Sequence, residues 1–123
     1  LEHCNSLMKN MSSKILYYGQ RSSNVKHAQL RMKCSKLNYH LFLLHVRDSF
    51  QCACGHNRED VSHFLLSCPL YFQFRNIMFD KINQLGVQIT VDNMLYGCNT
   101  VVNDVNVKVF DAVHSFIEST GRL

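Results

Sequence analysis

Three cysteines and one histidine near the middle of the sequence are residue types that bind metal ions. One residue separates Cys52 from Cys54, eight separate Cys54 from His63, and four separate His63 from Cys68. Three thiolates and one imidazole complete a tetrahedral coordination set for zinc. Because four protein ligands leave no position open for water, the sequence predicts one structural Zn²⁺ per chain.

Glycine and proline occur beside these residues, where the chain must bend. Gly55 directly follows Cys54 and supplies the conformational freedom that a tight turn between ligands needs. In an unbroken α-helix, His63 and Cys68 would point about 140° apart. Pro69 disfavours the α conformation at Cys68, so we expect the helix to unwind there and return the thiolate to the metal.

Some alternatives for these residues stay open. His56 could replace His63 as the nitrogen ligand. The six cysteines could instead form disulfides in a secreted chain, or serve as small apolar residues. Cys4, Cys34 and Cys98 have no partner at ligand spacing, and we expect them to be core thiols.

Positive charge is concentrated in the first half of the sequence. Residues 1–58 contain nine lysines or arginines and two acidic residues, and no acidic residue lies between His3 and Arg47. Such a segment repels itself unless an anion lies beside it, and nucleic-acid phosphate is the obvious candidate. The predicted phosphate contacts are Lys26, Arg31, Lys33, Lys36 and Arg47. Tyr39 or His40 could stack on bases.

Helical periodicity flanks the cysteine segment on both sides. Apolar spacing and capping residues predict helices over residues 7–18, 23–34, 38–46, 71–85, 90–96 and 105–119. β-Branched residues at 87–91 and 101–109 leave a strand in either place as an alternative. The residues expected to face inward from the helix over 71–85 are Phe74, Ile77, Met78, Ile82 and Leu85. The predicted fold is mostly α, a small helical domain stapled by one CCHC zinc knuckle.

The length of 123 residues is about that of one small domain. We divide it into a basic helical segment over 1–50, the zinc knuckle over 51–70 and C-terminal helices over 71–123, forming one compact domain. No apolar stretch approaches the roughly 18 residues that a membrane helix needs, so no membrane partner is expected. Leu1 in place of an initiator methionine suggests a piece of a longer protein.

A set of short motifs runs from residue 17 to the last residue given. They are Tyr17-Tyr18-Gly19, Arg21, the run from Asn24 to Phe42, Cys52-Ala-Cys-Gly55, Glu59-Asp60, the run from His63 to Tyr71, Leu95-Tyr-Gly97 and the run from Phe116 to Leu123. Together they resemble the C-terminal region of non-LTR (LINE-type) retrotransposon polyproteins. Residues 1–16 and 98–104 match little.

The resemblance implies a function and partners. In that family the region follows the reverse transcriptase domain, and its knuckle and basic helices help to hold template RNA or target DNA. We therefore expect a nucleic-acid-binding module whose partners are RNA and/or DNA and the upstream reverse transcriptase domain. Its expected location is an intracellular ribonucleoprotein, nuclear and/or cytoplasmic.

Catalysis is not expected of this chain itself. The sequence has no aromatic-x-Asp-Asp polymerase motif, and a Cys–His hydrolase built on Cys34 with His27 or His40 would need an oriented thiolate that nothing indicates. The competing hypothesis is a zinc-stapled packing module that buttresses the polymerase domain without contacting nucleic acid.

Overall fold

The computed structural model describes residues 21–123, and the helix predicted over 7–18 lies outside them. The described part is mostly helical, as predicted, and contains no strand, so the strand alternatives at 87–91 and 101–109 are wrong. The α-helices are α1 (Arg21–Arg31), α2 (Asn38–Leu43), α3 (Phe72–Gln84), α4 (Val91–Tyr96) and α5 (Asn103–Thr120). A π-helical turn (His63–Ser67) and a 3₁₀ turn (Pro69–Tyr71) lie between α2 and α3. None of these helices has the length and apolar character needed to cross a membrane.

Helix α5 lies at the centre and packs against α1, α3 and α4. Its predicted apolar stripe is confirmed, because every member is at most 2% exposed: Val109, Phe110, Val113, Phe116 and Ile117. The same core receives Leu30 and Leu37 from the basic segment and Phe64 and Leu65 from the knuckle. Burying each large apolar side chain contributes about 1.5–3 kcal/mol, so the core ties the knuckle to the helices around it.

Glycine ends α3 as predicted. Gly86 adopts φ +74°, a left-handed conformation that costs glycine little. Its N–H donates to the Asn83 carbonyl at 3.0 Å, and the Val87 N–H donates to the Ile82 carbonyl at 3.4 Å. These two bonds form a Schellman motif, which satisfies carbonyls that the helix leaves open.

The buried face of α3 differs from the prediction. Met78 and Ile82 are buried as expected, but Phe74 is 36% exposed and Ile77 is 55% exposed. Arg75 is buried instead, at 4% exposure, because its guanidinium bonds to backbone carbonyls of the π-helical turn. Hydrogen bonding thus overrides hydrophobic periodicity along the first half of this helix.

Candidate metal centre

The four predicted ligand residues come together in the structure. The ligand atoms of Cys52, Cys54, His63 and Cys68 all lie within 4.8 Å of one another. The two buried sulfurs, of Cys52 and Cys68, are 3.7 Å apart, and Cys54 Sγ is 3.2 Å from His63 Nε2. A tetrahedral ion at zinc bond lengths requires about 3.8 Å between sulfurs and about 3.6 Å between sulfur and nitrogen. The ligand atoms are therefore close enough together that these four residues could hold a metal ion.

A tight turn brings the first two cysteines to the cluster. Gly55 adopts φ +98°, and its N–H donates to the Cys52 carbonyl at 2.9 Å. The Cys52 N–H in turn donates to the His56 carbonyl at 3.0 Å. The bend predicted at Gly55 is confirmed. A Cβ at that position would meet no atom within 4 Å, so glycine is needed there for its left-handed backbone and not for lack of space.

A π-helical turn brings the other two ligands together. The Cys68 N–H donates to the His63 carbonyl at 2.7 Å, so residue 68 lies one wide turn above residue 63. Cys68 itself is extended, with φ −61° and ψ 121°, and Pro69 follows it. The unwinding predicted at Cys68 is confirmed, but the π turn that precedes it was not predicted.

Asp60 fixes the start of this turn. Its Oδ1 accepts a hydrogen bond from the His63 N–H at 2.8 Å, and its carbonyl accepts one from the Phe64 N–H at 3.0 Å. A side-chain oxygen that satisfies an N–H of the first turn is the usual capping arrangement. The cap holds the backbone of the histidine ligand in place.

Arg75 holds the far end of the turn. Its Nε donates to the Leu65 carbonyl at 3.0 Å, its Nη1 to the Cys68 carbonyl at 2.6 Å and its Nη2 to the Phe64 carbonyl at 2.8 Å. Without Arg75, these buried carbonyls at a helix end would lack this hydrogen-bond donor, and an unpaired buried carbonyl is destabilising. Sequence patterns missed Arg75 because nothing local distinguishes it from a surface cation on α3.

Glu59 links the cluster to Arg122, which follows α5. Its carboxylate is 3% exposed and accepts two bonds from Arg122, at 2.9 Å from Nε and 2.6 Å from Nη2. It also accepts the Asn38 N–H at 2.7 Å, and the Cys52 thiol lies 3.9 Å from Oε2. A paired, hydrogen-bonded carboxylate is tolerated at such depth, so Glu59 joins the metal cluster, α2 and residue 122.

The chemistry of the ligand atoms suits a cation. Burial raises the pKa of the Cys52 thiol to about 12 and also raises the pKa of Cys68. A backbone N–H from His56 lowers the pKa of Cys54, and burial lowers that of His63, which favours the neutral imidazole that binds metals. The two buried sulfurs become thiolates when a cation compensates their charge.

His56 lies beside the cluster rather than in it. Its ring stacks on His63, with centroids 4.1 Å apart and planes 8° apart. Among residues 21–123, the metal-binding group includes His63 and not His56, so the alternative ligand set is not supported. Cys52, Cys54, Cys68 and Cys98 are free thiols, so the disulfide alternative is wrong for these four.

Two of the predicted phosphate contacts are occupied within the protein. Arg31 is 1% exposed and donates from Nη1 to the Leu95 carbonyl at 3.2 Å, so its prediction as a surface phosphate contact is wrong. The last turn of α4 presents the Leu95 carbonyl toward α1. The buried guanidinium of Arg31 donates the hydrogen bond that this carbonyl needs. Lys26 lies 3.6 Å from the Glu118 carboxylate, which competes with phosphate for its charge.

The other three predicted cations are on the surface. Lys33, Lys36 and Arg47 are exposed, and Arg47 lines a shallow cleft together with Asn38 and Cys52. Arg58, which was not among the predicted contacts, is also exposed. Its position in the cationic first half of the sequence is the only sequence feature that marks Arg58 as a candidate phosphate contact.

The two candidate stacking residues differ in their surroundings. His40 is 1% exposed, and its Nδ1 accepts hydrogen bonds from the Ser35 N–H at 3.2 Å and Oγ at 2.6 Å, so its prediction as a stacking residue is wrong. Burial lowers its pKa to about 4. Tyr39 is half-buried and keeps part of its ring accessible.

Together the fold and the site define a small helical domain with a Cys₃His cluster that can bind a metal ion. Comparisons of the chain with known protein families, curated proteins and solved structures found no match.

Proposed function

We propose that this chain is a zinc-stapled, non-catalytic nucleic-acid-binding module from the C-terminal region of a LINE-type reverse transcriptase protein. It binds RNA or target DNA in a nuclear or cytoplasmic ribonucleoprotein, next to the polymerase domain upstream. The observation that carries the proposal is the exposure of Lys33, Lys36 and Arg47 in the segments flanking α2, where Arg47 lines the same cleft as Cys52.

Zinc is the ion that the donor set favours. Soft thiolates select zinc over magnesium or calcium, and four protein ligands suit a structural site. Structural zinc contributes about 10–16 kcal/mol in small finger peptides, compared with the ~5–15 kcal/mol stability of a typical domain. The metal is therefore expected to be required for the fold of the knuckle.

The cations are tied to the metal cluster through the backbone. The Lys36 carbonyl accepts a hydrogen bond from Arg122 at 2.9 Å, and Arg122 pairs with Glu59 beside Cys52. Cys52 also lines the same shallow cleft as Arg47. Folding of the metal site thus fixes where these positive charges lie, which favours a defined phosphate-binding surface over scattered solvating charges.

The dependence of binding on salt tests this surface. Replacing Lys33 and Lys36 with alanine should reduce the slope of log K against log salt concentration by about 1.4 on a single strand and about 1.8 on a duplex. The matched control replaces Lys81 and Lys108, two exposed lysines of α3 and α5, and should leave the slope nearly unchanged. Equal slopes for the two double variants would place the contact surface elsewhere.

A second candidate function is supported by an apolar surface. Four large residues at the start of α3 and just before it are exposed, at 53%, 62%, 36% and 55%: Leu70, Phe72, Phe74 and Ile77. Exposed large apolar residues are common at protein interfaces, and a packing module that buttresses an upstream polymerase domain needs such residues. Filter binding separates the candidates, because the packing module alone would retain neither single-stranded RNA nor duplex DNA at low salt.

A further inference from the structure

Three aromatic rings form a cluster where α2 meets the knuckle. The rings of Tyr39 and Phe50 meet edge to face, with centroids 5.9 Å apart, and those of Phe42 and Phe50 do the same at 4.8 Å. All three residues are half-buried, so part of the cluster remains open to solvent. The edge-to-face packing holds the rings in a fixed orientation.

Arg58 extends from the knuckle over this cluster. Its guanidinium carbon lies 4.6 Å from the centroid of Tyr39 and 5.7 Å from that of Phe50. The ion pairs found in residues 21–123 involve Lys26 and Arg122, so no described carboxylate pairs with Arg58. The cation therefore faces the rings while its charge remains available.

The metal site positions Arg58. The Arg58 N–H donates to His56 Nδ1 at 3.3 Å, and the ring of His56 stacks on the metal ligand His63. On the other side, the Tyr39 N–H donates to the Glu59 carbonyl at 3.1 Å. Both members of the ring–cation pair are thus fixed to the segment that the metal organises.

A planar guanidinium next to an aromatic ring is an arrangement on which a nucleobase can stack. Bases stack on tyrosine, phenylalanine and arginine planes, and an exposed cation–π contact contributes less than the stacking of a base on a ring. An entering base can therefore displace or join the guanidinium. Bases of a duplex already stack on one another and do not offer a free face.

We propose that Tyr39, Phe50 and Arg58 form a stacking site for an unpaired base, which makes the module selective for single-stranded RNA or DNA over duplex. This inference rests on the proposed nucleic-acid-binding function. Lys36 and Arg47, on the segments flanking α2, supply phosphate contacts for the same strand. The cations thus bind the phosphate backbone of the strand, and the aromatic rings bind one of its bases.

Binding of short oligonucleotides to the zinc-loaded chain tests the stacking site. The probes are a single strand of RNA or DNA, the same strand carrying abasic positions, and a duplex of equal length. Tyr39→Leu should weaken binding to the intact single strand by about 5- to 150-fold and leave binding to the abasic strand unchanged. Tyr39→Phe keeps the aromatic ring, so its affinity for the intact single strand should equal that of the wild-type chain.

Arg58→Leu is the second variant, because Arg58 is exposed and its loss leaves the core intact. It should weaken binding to the intact single strand more than binding to the abasic strand. Equal affinity of the wild-type chain for intact and abasic strands, or tighter binding to duplex, overturns the stacking site and leaves the nucleic-acid-binding function standing. Failure to bind any probe overturns both.

Discussion

At the scale of the residue, the three sulfurs of the metal cluster are not equivalent. Cys52 and Cys68 are buried, whereas Cys54 is half-buried at the edge of the cluster. Cys54 also receives the backbone N–H of His56, which lowers its pKa. Of the three thiols, Cys54 therefore reaches the thiolate form most readily.

Metal analysis tests the ligand set residue by residue. We expect one zinc per wild-type chain and a loss of more than about 100-fold in zinc affinity for Cys54→Ser, since changes outside the ligand set already cost 10–100-fold. Cys98→Ser is the control, because Cys98 lies 3.0 Å from Thr100 Oγ1 and outside the cluster. Full zinc content in Cys54→Ser would show that the metal has other ligands.

At the scale of the element, the π-helical turn places two ligands one above the other. An α-helix cannot bring residues 63 and 68 together, whereas the hydrogen bond from the Cys68 N–H to the His63 carbonyl does. The carbonyls of the following residues then need hydrogen-bond donors from outside the turn. Arg75 supplies three such donors from α3. The geometry of the metal site therefore depends on a helix outside the knuckle.

Arg75→Lys tests this dependence. A lysine keeps the charge but is a compact donor that cannot span three carbonyls, so the free energy of unfolding should fall by about 3 kcal/mol in excess zinc. Chemical denaturation followed by circular dichroism measures the change. The control Lys81→Arg, an exposed swap on the same helix, should stay within about 0.5 kcal/mol of wild type. A stable Arg75→Lys chain would show that the turn holds without the guanidinium.

At the scale of the whole molecule, a buried polar chain joins α1, α4 and α5. His114 Nε2 lies 3.0 Å from His27 Nδ1, and His27 Nε2 lies 2.8 Å from the Met94 carbonyl. The carbonyl can only accept, so His27 donates to it from Nε2 and accepts from His114 at Nδ1. In this arrangement His27 is the neutral imidazole that carries its proton on Nε2.

Stability should consequently decrease in acid. Burial lowers the pKa of His27 well below 6.5, helped by Arg31, and burial also lowers that of His114, with Asp111 and Glu118 opposing. Below pH 6.5 the unfolded chain binds protons that the folded chain does not. Stability is then complete above pH 6.5 and falls as the pH decreases, by at most about 1.4 kcal/mol per pH unit for each histidine.

Urea denaturation between pH 7.5 and 5.5, in excess zinc, measures this loss. His114→Gln keeps a donor for His27 but does not titrate, so its stability should depend less steeply on pH than that of wild type. Metal release contributes equally to both chains and cancels in the comparison. Identical pH dependence in the two chains would exclude His114 from the effect.

Features encoded by nearby residues were predictable from the sequence. Cys52, Cys54, His63 and Cys68 lie within 17 consecutive residues, and their types, their spacing and the adjacent Gly55 and Pro69 were sufficient to predict that they come together as a group that could hold a metal ion. The stripe of α5 and the Gly86 terminus of α3 were likewise predictable, because periodicity and left-handed backbone are local properties.

Features that depend on distant partners were not predictable. Arg31 and Arg75 resemble surface cations until the carbonyls that they satisfy are known, and those carbonyls belong to other elements. Phe74 and Ile77 have the spacing of core residues, yet burial of Arg75 turns them outward. Polar residues are expected at the surface of a protein, yet the core of this protein contains several that are hydrogen-bonded.

The ion pair between Glu59 and Arg122 joins positions 63 residues apart, which sets an order of events during synthesis. A ribosome releases the chain from its amino end, so the four residues that could hold a metal ion emerge before Arg122 has been added. At a translation rate of about 5–20 residues per second, the delay between Cys68 and Arg122 is on the order of several seconds. The four residues can therefore come together before Arg122 is synthesised, and the pairing of Arg122 with Glu59 follows as a separate, later step.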